Sequence, residues 1–319
     1  MILAGALVSA VALSRVCSAE AISVKESKGG AEVTIGGRPF AGYLIKSGHQ
    51  PVIWPIIGPN GQPMTRQYPL GPRLPGEKGD HPHHRSLWFG HGLVNGLDFW
   101  MPPGSGGPAG KHNQIVHREF VALKSGGQVA RIVTRNDWTS DATKICEDLR
   151  TINFGVDQNG RWIDFAVDIL ASEADVTFGD TEEGSFAVRV PGTMEVDAKR
   201  GGEIVNSQGQ KNTDAWGRAS EWVDYRGPVD GKPAGIVIFS MPDSFRKPCR
   251  WHVRPYGLLA ANPFGQRDFP ADGGNKQGRI KIKKGDTIRL HFRVLFYAGE
   301  LSRDEIAAVY KQYALPMAL

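Results

Sequence analysis

Apolar and polar residues alternate along most of this chain. Ile288, Leu290, Phe292, Val294 and Phe296 interleave with Thr287, Arg289, His291 and Arg293, which predicts a strand with one buried face. Ile163, Phe165, Val167 and Ile169 alternate in the same way with Asp164, Ala166 and Asp168. Phe186, Val188 and Val190 interleave with Ala187 and Arg189, and residues 236–239 form an apolar run read as a strand covered on both faces. Residues 31–35 and 39–45 flank Gly36-Gly37, a hairpin signal. One segment has the helical period instead. Ile306, Val309, Tyr310 and Tyr313 follow Ser302-Arg303-Asp304-Glu305, which has capping-box form, and Pro316 stops the run. The pattern predicts an all-β fold, a large antiparallel β-sandwich with a short C-terminal helix.

Composition fits that picture. The 40 Gly and 21 Pro among 319 residues supply turns, and the 40% hydrophobic content separates the chain from disordered and fibrous classes. Residues 22–319 read as a single β-sandwich domain. Residues 1–21 read as a signal peptide: an apolar run from Ile2 to Leu13, then Arg15, then the small residues Ser18, Ala19 and Ala21. The expected location is periplasmic or secreted. No later run is long enough to cross a bilayer as a helix. The net charge of +5 is scattered, without a basic stripe, which argues against nucleic-acid partners. Cys146 and Cys249 would remain after cleavage, as one bridge or as two buried thiols. Residues 102–110, rich in Gly and Pro, read as a surface loop, with a lid as the alternative.

Three segments carry candidate chemistry. Residues 80–92 (Asp-His-Pro-His-His-Arg-Ser-Leu-Trp-Phe-Gly-His-Gly) hold four of the nine histidines, and imidazole is suited both to proton transfer near neutral pH and to metal ligation. Residues 178–189 form a Gly-bounded acidic loop, with Asp180, Glu182 and Glu183, that feeds a strand presenting Arg189. Carboxylates beside an Arg can hold sugar hydroxyls, or do acid–base work if burial raises one pKa. Residues 251–257 and 261–265 gather His252, Arg254, Tyr256 and Asn262 among aromatics and turns, a set suited to sugar C–H faces and hydroxyls. A fourth, weaker element is the Asn60-Gly61 turn, by itself a hairpin loop, followed by Thr65 and Arg66, which can reach a ligand.

Residues 80–92, 98–100 (Asp-Phe-Trp), 178–184, 251–254 and 261–265 together resemble the bacterial family labelled PmoA-like, a family of exported proteins. The resemblance runs from about Gly58 to Tyr313. The label implies a methane oxygenase subunit, an integral membrane protein, which the absence of a membrane span after residue 21 contradicts. The resemblance further implies an architecture similar to galactose mutarotase-like proteins, which act on sugars with His as acid and a carboxylate as base.

The expected activity is carbohydrate chemistry by an exported enzyme: epimerisation, elimination or hydrolysis of a sugar or keto-sugar. His83 or His84 is the expected proton donor, with His252 in support and Glu182 or Glu183 as base. Arg66, Arg85, Trp88, His91, Asp180, Arg189, Arg254, Tyr256 and Asn262 are the expected substrate contacts. No cofactor is expected. Two alternatives stay open: a non-catalytic carbohydrate-binding protein, and a divalent-metal enzyme using His81, His83 and His91. The sequence leaves the oligomeric state open.

Overall fold

The computed structural model describes residues 20–103, 112–270 and 277–315. Its strands are β1 (Ile22–Ser27), β2 (Gly30–Ile35), β3 (Arg38–Ser47), β4 (Gln50–Ile56), β5 (Leu87–His91), β6 (Asn113–Lys124), β7 (Val129–Ser140), β8 (Thr143–Asp157), β9 (Gly160–Leu170) and β10 (Val176–Phe178). There follow β11 (Gly184–Arg189), β12 (Glu203–Asn206), β13 (Ala219–Ser220), β14 (Trp222–Val229), β15 (Lys232–Ser240), β16 (Cys249–Arg254), β17 (Leu258–Asn262), β18 (Ile280–Ile282) and β19 (Thr287–Ala298). The helix α1 (Arg303–Ala314) closes the order. One sheet has nine strands in the order β1-β2-β3-β4-β5-β11-β17-β16-β13, and the other has eight in the order β12-β14-β15-β19-β9-β8-β7-β6. A small pair, β10-β18, stands apart. All ladders are antiparallel, so the fold is the all-β sandwich that the alternation predicts.

The alternating residues explain the layers. Ile163, Phe165, Val167 and Ile169 from β9 meet Leu290, Phe292, Val294 and Phe296 from β19 and Phe186 and Val188 from β11 in one core between the sheets. The Phe186 and Phe292 rings stack at 4.8 Å across it. The 31–45 hairpin forms as read, with its turn at Gly36-Gly37. At α1, Ser302 accepts from Glu305 N while the Glu305 side chain accepts from Ser302 N, the predicted capping box. The expected stop at Pro316 lies outside the described residues.

The core also holds a polar cluster. Asp148 and Arg150 point inward from β8 and form a two-bond ion pair, 2.9 Å each, with both side chains fully buried. Asn136 Nδ2 and Trp138 Nε1 donate to the same carboxylate at 2.7 and 2.8 Å. The Arg150 guanidinium lies between the Phe89 and Phe165 rings, 5.6 and 5.9 Å from their centroids.

The outer face of the eight-stranded sheet is covered by α1. Ile306, Val309 and Tyr313 pack on Trp162, Phe239, Leu295 and Tyr297. Gly155 and Gly235 make this possible: a Cβ at either would fall about 2 Å from the Trp162 or Tyr297 ring. Cys146 and Cys249 are separate buried thiols, not a bridge. Among the described residues no helix is long and apolar enough to cross a membrane.

Candidate functional site

The nine-stranded sheet is buried on both faces at its centre. Every residue of β5, β11 and β17 is inaccessible, which corrects the reading of 186–190 as a half-exposed strand. Register explains the second buried face. Val52, Trp88, Ala187, Ala260 and His252 are successive neighbours across β4, β5, β11, β17 and β16. The two alanines leave room for the Trp88 and Trp100 indoles, which pack there with Leu258. In the next row Arg189 and Arg254 flank Leu258. The chemistry is built on this aromatic layer.

His84 lies parallel to Trp88 at 5.3 Å, and His81 and Tyr256 continue the stack at 4.8 Å spacing. His83 meets the His84 ring edge-on at 4.3 Å. Arg189 Nη1 donates to His84 Nδ1 at 3.3 Å, which leaves the proton on Nε2. Burial, then the charges of its neighbours, holds the His84 imidazole neutral, well below its ordinary range. His83 is depressed to about 4 for the same reasons. Nε2 of His84 has no hydrogen-bond partner among the described residues.

Arg66 and Arg189 hold this corner together. Asp80 Oδ1 accepts from Arg66 at 2.6 Å and from Arg189 at 3.0 Å, and Glu195 accepts from Arg189 at 3.0 Å. Arg66 also donates to the carbonyls of Tyr68, Lys78, His81 and His84. It is fully buried and occupied by the 66–84 loop, so it is an organiser rather than a free contact for hydroxyls. Burial raises the Asp80 carboxyl, but Arg189 and Arg66 outweigh that and hold it below its usual value.

The acidic loop supplies the opposite corner. Arg254 Nη2 donates to Glu182 Oε2 at 3.0 Å, and the same oxygen lies 3.5 Å from His252 Nδ1. Trp216 Nε1 donates to that nitrogen at 3.3 Å, and Arg254 stacks over the Trp216 ring at 4.8 Å. Burial pushes His252 down to about 3. The Glu183 carboxyl has no hydrogen-bond partner among the described residues; burial, reinforced by Glu182 and Asp98, pushes it up to about 7. The Tyr256 hydroxyl, itself raised to about 12 by burial, lies in the field of Arg254 and Glu183 and also of Arg189 and Asp80. The three motifs therefore meet around Tyr256.

Other expected residues are elsewhere. His91 points into the core between Phe178 and Phe264, with Nδ1 on Ser185 and Nε2 on the Gly179 carbonyl. It neither lines the site nor joins His81 and His83, so the expected metal trio does not form. Among the described residues no three His, Cys, Asp or Glu side chains are grouped to hold a metal. Arg85 turns away to Ser47. Asp180 accepts the backbone N–H groups of Gln266, Arg267 and Gly278 and so holds neighbouring backbone rather than a ligand.

Asn262 is likewise structural. Its Nδ2 donates to the carbonyls of Thr181 and Glu182, and its Oδ1 accepts from Phe264 and Gly265. It fixes the loop that carries Glu182 and Glu183. Asn262→Ala is expected to destabilise the fold by about 1–3 kcal/mol, because two carbonyls and two N–H groups lose their partner. Denaturant unfolding measures this, and a change below about 0.5 kcal/mol would contradict it.

Sequence reasoning missed His49, Lys78, Glu195 and Trp216. His49 Nε2 donates to the Phe99 carbonyl (3.3 Å), and His49 reaches His83 electrostatically. Lys78 pairs with Glu195 at 3.0 Å. Each stands singly in the sequence, and only strand order brings it here. The 102–110 loop, beside Met101, falls mostly outside the described residues. A cavity of about 690 Å³ opens instead at the start of α1, but Arg226 and Glu203 there are paired with each other, and none of the groups above lines it.

The fold is an all-β sandwich in which histidines, carboxylates and arginines gather at the buried outer face of the larger sheet. The chain belongs to the family of unknown function DUF6807, whose pattern matches residues 30–311. No curated protein matches it. Among solved structures it is similar to a polysaccharide lyase, at 14% identity and a TM-score of 0.34, over 92% of this chain and 35% of that one. It is similar also to a glycoside hydrolase family 97 variant from Pseudoalteromonas sp. strain K8, at 8% identity and a TM-score of 0.33, over 88% of this chain and 34% of that one. A second structure of such an enzyme from that strain, in complex with panose, gives 8% identity and a TM-score of 0.32, again over 88% and 34%. The chain spans about a third of the length of those structures. Likeness at this level carries no argument about activity.

Proposed function

We propose that the protein is a carbohydrate-active enzyme that moves a proton at a sugar's anomeric carbon or beside its carbonyl. The observation that carries this is Glu183: a half-buried carboxyl without a hydrogen-bond partner among the described residues, raised to about 7, next to a second carboxyl that Arg254 holds. Two neighbouring carboxyls in unlike environments are the arrangement from which an acid and a base are made. The roles expected from the sequence are exchanged in this reading. Glu183 is the acid, because burial leaves His83 and His84 without a proton to give at neutral pH. Neutral His84 instead offers its Nε2–H as a hydrogen-bond donor to a developing oxyanion. Glu182 is the base, and the half-exposed rings of Tyr256, His81 and Trp216, stacked within the protein, border the sugar with their edges. Export to the periplasm or medium, a carbohydrate partner and independence of a metal belong to the same proposal.

Non-catalytic sugar binding is the second reading, favoured by Arg66 and Arg189 being engaged within the protein. Calorimetric titration against aldoses, keto-sugars and uronates, with NMR detection of product, separates the two. Binding lost in Tyr256→Ala together with product formation supports the enzyme. Binding without product in any sugar supports the second reading, and no binding at all overturns both.

A further inference from the structure

A second feature lies at the end of the sandwich, where the β8–β9 hairpin meets β3 and the loop after β4. Arg161 opens β9 and is 8% exposed. Its Nη1 donates to the Ile57 carbonyl at 2.9 Å and the Pro39 carbonyl at 3.4 Å, and the guanidinium packs over Phe40 at 5.5 Å. No carboxylate pairs with it among the described residues, and its Nε and Nη2 have no partner there. A buried guanidinium with only carbonyl partners is unusual, because its desolvation is ordinarily offset by an anion. Two adjoining cavities open beside it, of about 520 and 450 Å³, and share Arg38, Pro59 and Arg161 as lining. Asn60 and Gly61, the turn ahead of Thr65 and Arg66, line the first.

The charges facing this trough are few. Arg38 is exposed and paired with Glu20 at 2.8 Å, and Glu20 also lines the trough and acts on Arg161 through its field without pairing with it. Asp157 is occupied, accepting from Tyr313 Oη and Asn159 N. The trough shares no residue with the Glu183 site.

We infer that Arg161, with Arg38 and Asn60 beside it, forms a binding site for an oxyanion, a carboxylate or sulfate group carried on a small ligand. Nε and Nη2 on one edge of the guanidinium suit the two oxygens of such a group. Pro39, Pro59 and Ile57 give the ligand's body an apolar wall. The site does not depend on the reading of the Glu183 cluster.

The test is calorimetric titration of the full chain with glucuronate, with glucose, and with inorganic sulfate against chloride at matched ionic strength. Saturable binding of glucuronate or sulfate, absent with glucose and chloride, is the expected result. Glucuronate alone identifies a sugar acid, and sulfate as well identifies any oxyanion. Arg161→Gln is expected to weaken binding at least about tenfold, the loss of one charge-assisted hydrogen bond. Arg38→Gln, at an exposed position, is expected to weaken it several-fold and keeps the test decisive if Arg161→Gln does not fold. Absence of binding, equal binding in chloride, or wild-type affinity in both variants overturns the assignment.

Discussion

Glu183→Gln is expected to lower turnover on the sugar substrate by about a hundredfold or more, the usual effect of removing a positioned general acid. The wild-type rate is expected to fall as pH rises through about 7, as Glu183 gives up its proton, and the variant is expected to lose that limb. The same variant carries a stability signature that needs no substrate. The folded-state pKa of Glu183 is raised above its unfolded value of about 4.5, so the folded chain binds the extra proton between those values. Native stability is therefore expected to fall as pH rises from about 4.5 to about 7, by on the order of 1–3 kcal/mol from this group. Asp224, buried and raised to about 7 beside Tyr297, adds a slope of the same sign. Glu183→Gln removes only its own share. Unfolding curves at pH 5 and pH 8 measure the difference. A variant with an unchanged slope and an unchanged pH–rate profile would remove Glu183 from the acid role.

Asp148→Ala is expected to cost about 3–5 kcal/mol, because it leaves the Arg150 charge buried between the sheets without its anion. Burial alone would lower the Arg150 pKa, and Asp148 outweighs that and raises it. Asn136 and Trp138 lose an acceptor in the same step. The double change Asp148→Ala with Arg150→Met is expected to recover much of the loss, since an apolar pair needs no compensation in that place. Denaturant unfolding of the three variants closes the cycle. A single-variant cost below about 1 kcal/mol would show that water reaches Arg150.

Alternation revealed the strands whose two faces differ. It revealed less where both faces are buried. Cys146, Asp148, Arg150, Ile152 and Phe154 share the inward face of β8, and two charges in that row disguise a core strand as a surface one. In β11, Ala187 and Arg189 read as the wet face, yet Trp100 and Tyr256 cover them. Residue type pointed to segments that lie together around Tyr256, because histidines, carboxylates and arginines crowd into 80–92, 178–189 and 251–257. It did not separate ligand-facing groups from scaffolding. Arg66, Asp180 and Asn262 have the chemistry of a binding residue, and what decides their role is that backbone groups of neighbouring loops already occupy them. His91 ends β5 on the face of Leu87 and Phe89, which sends it into the core, whereas His84 precedes the strand and stacks on Trp88 at the opposite face.

The slab formed by β5, β11 and β17 bears on how a ligand can be found. These strands form part of the inner core, and the segments that lead into them carry His84, Glu183 and Tyr256, so the cluster is anchored to the sheet. Occupancy of the cluster is then coupled to unfolding of the entire sheet, and a ligand present at a hundred times its dissociation constant adds about 2.7 kcal/mol to global stability. Melting temperature thus becomes a reporter of substrate identity that requires no knowledge of the reaction.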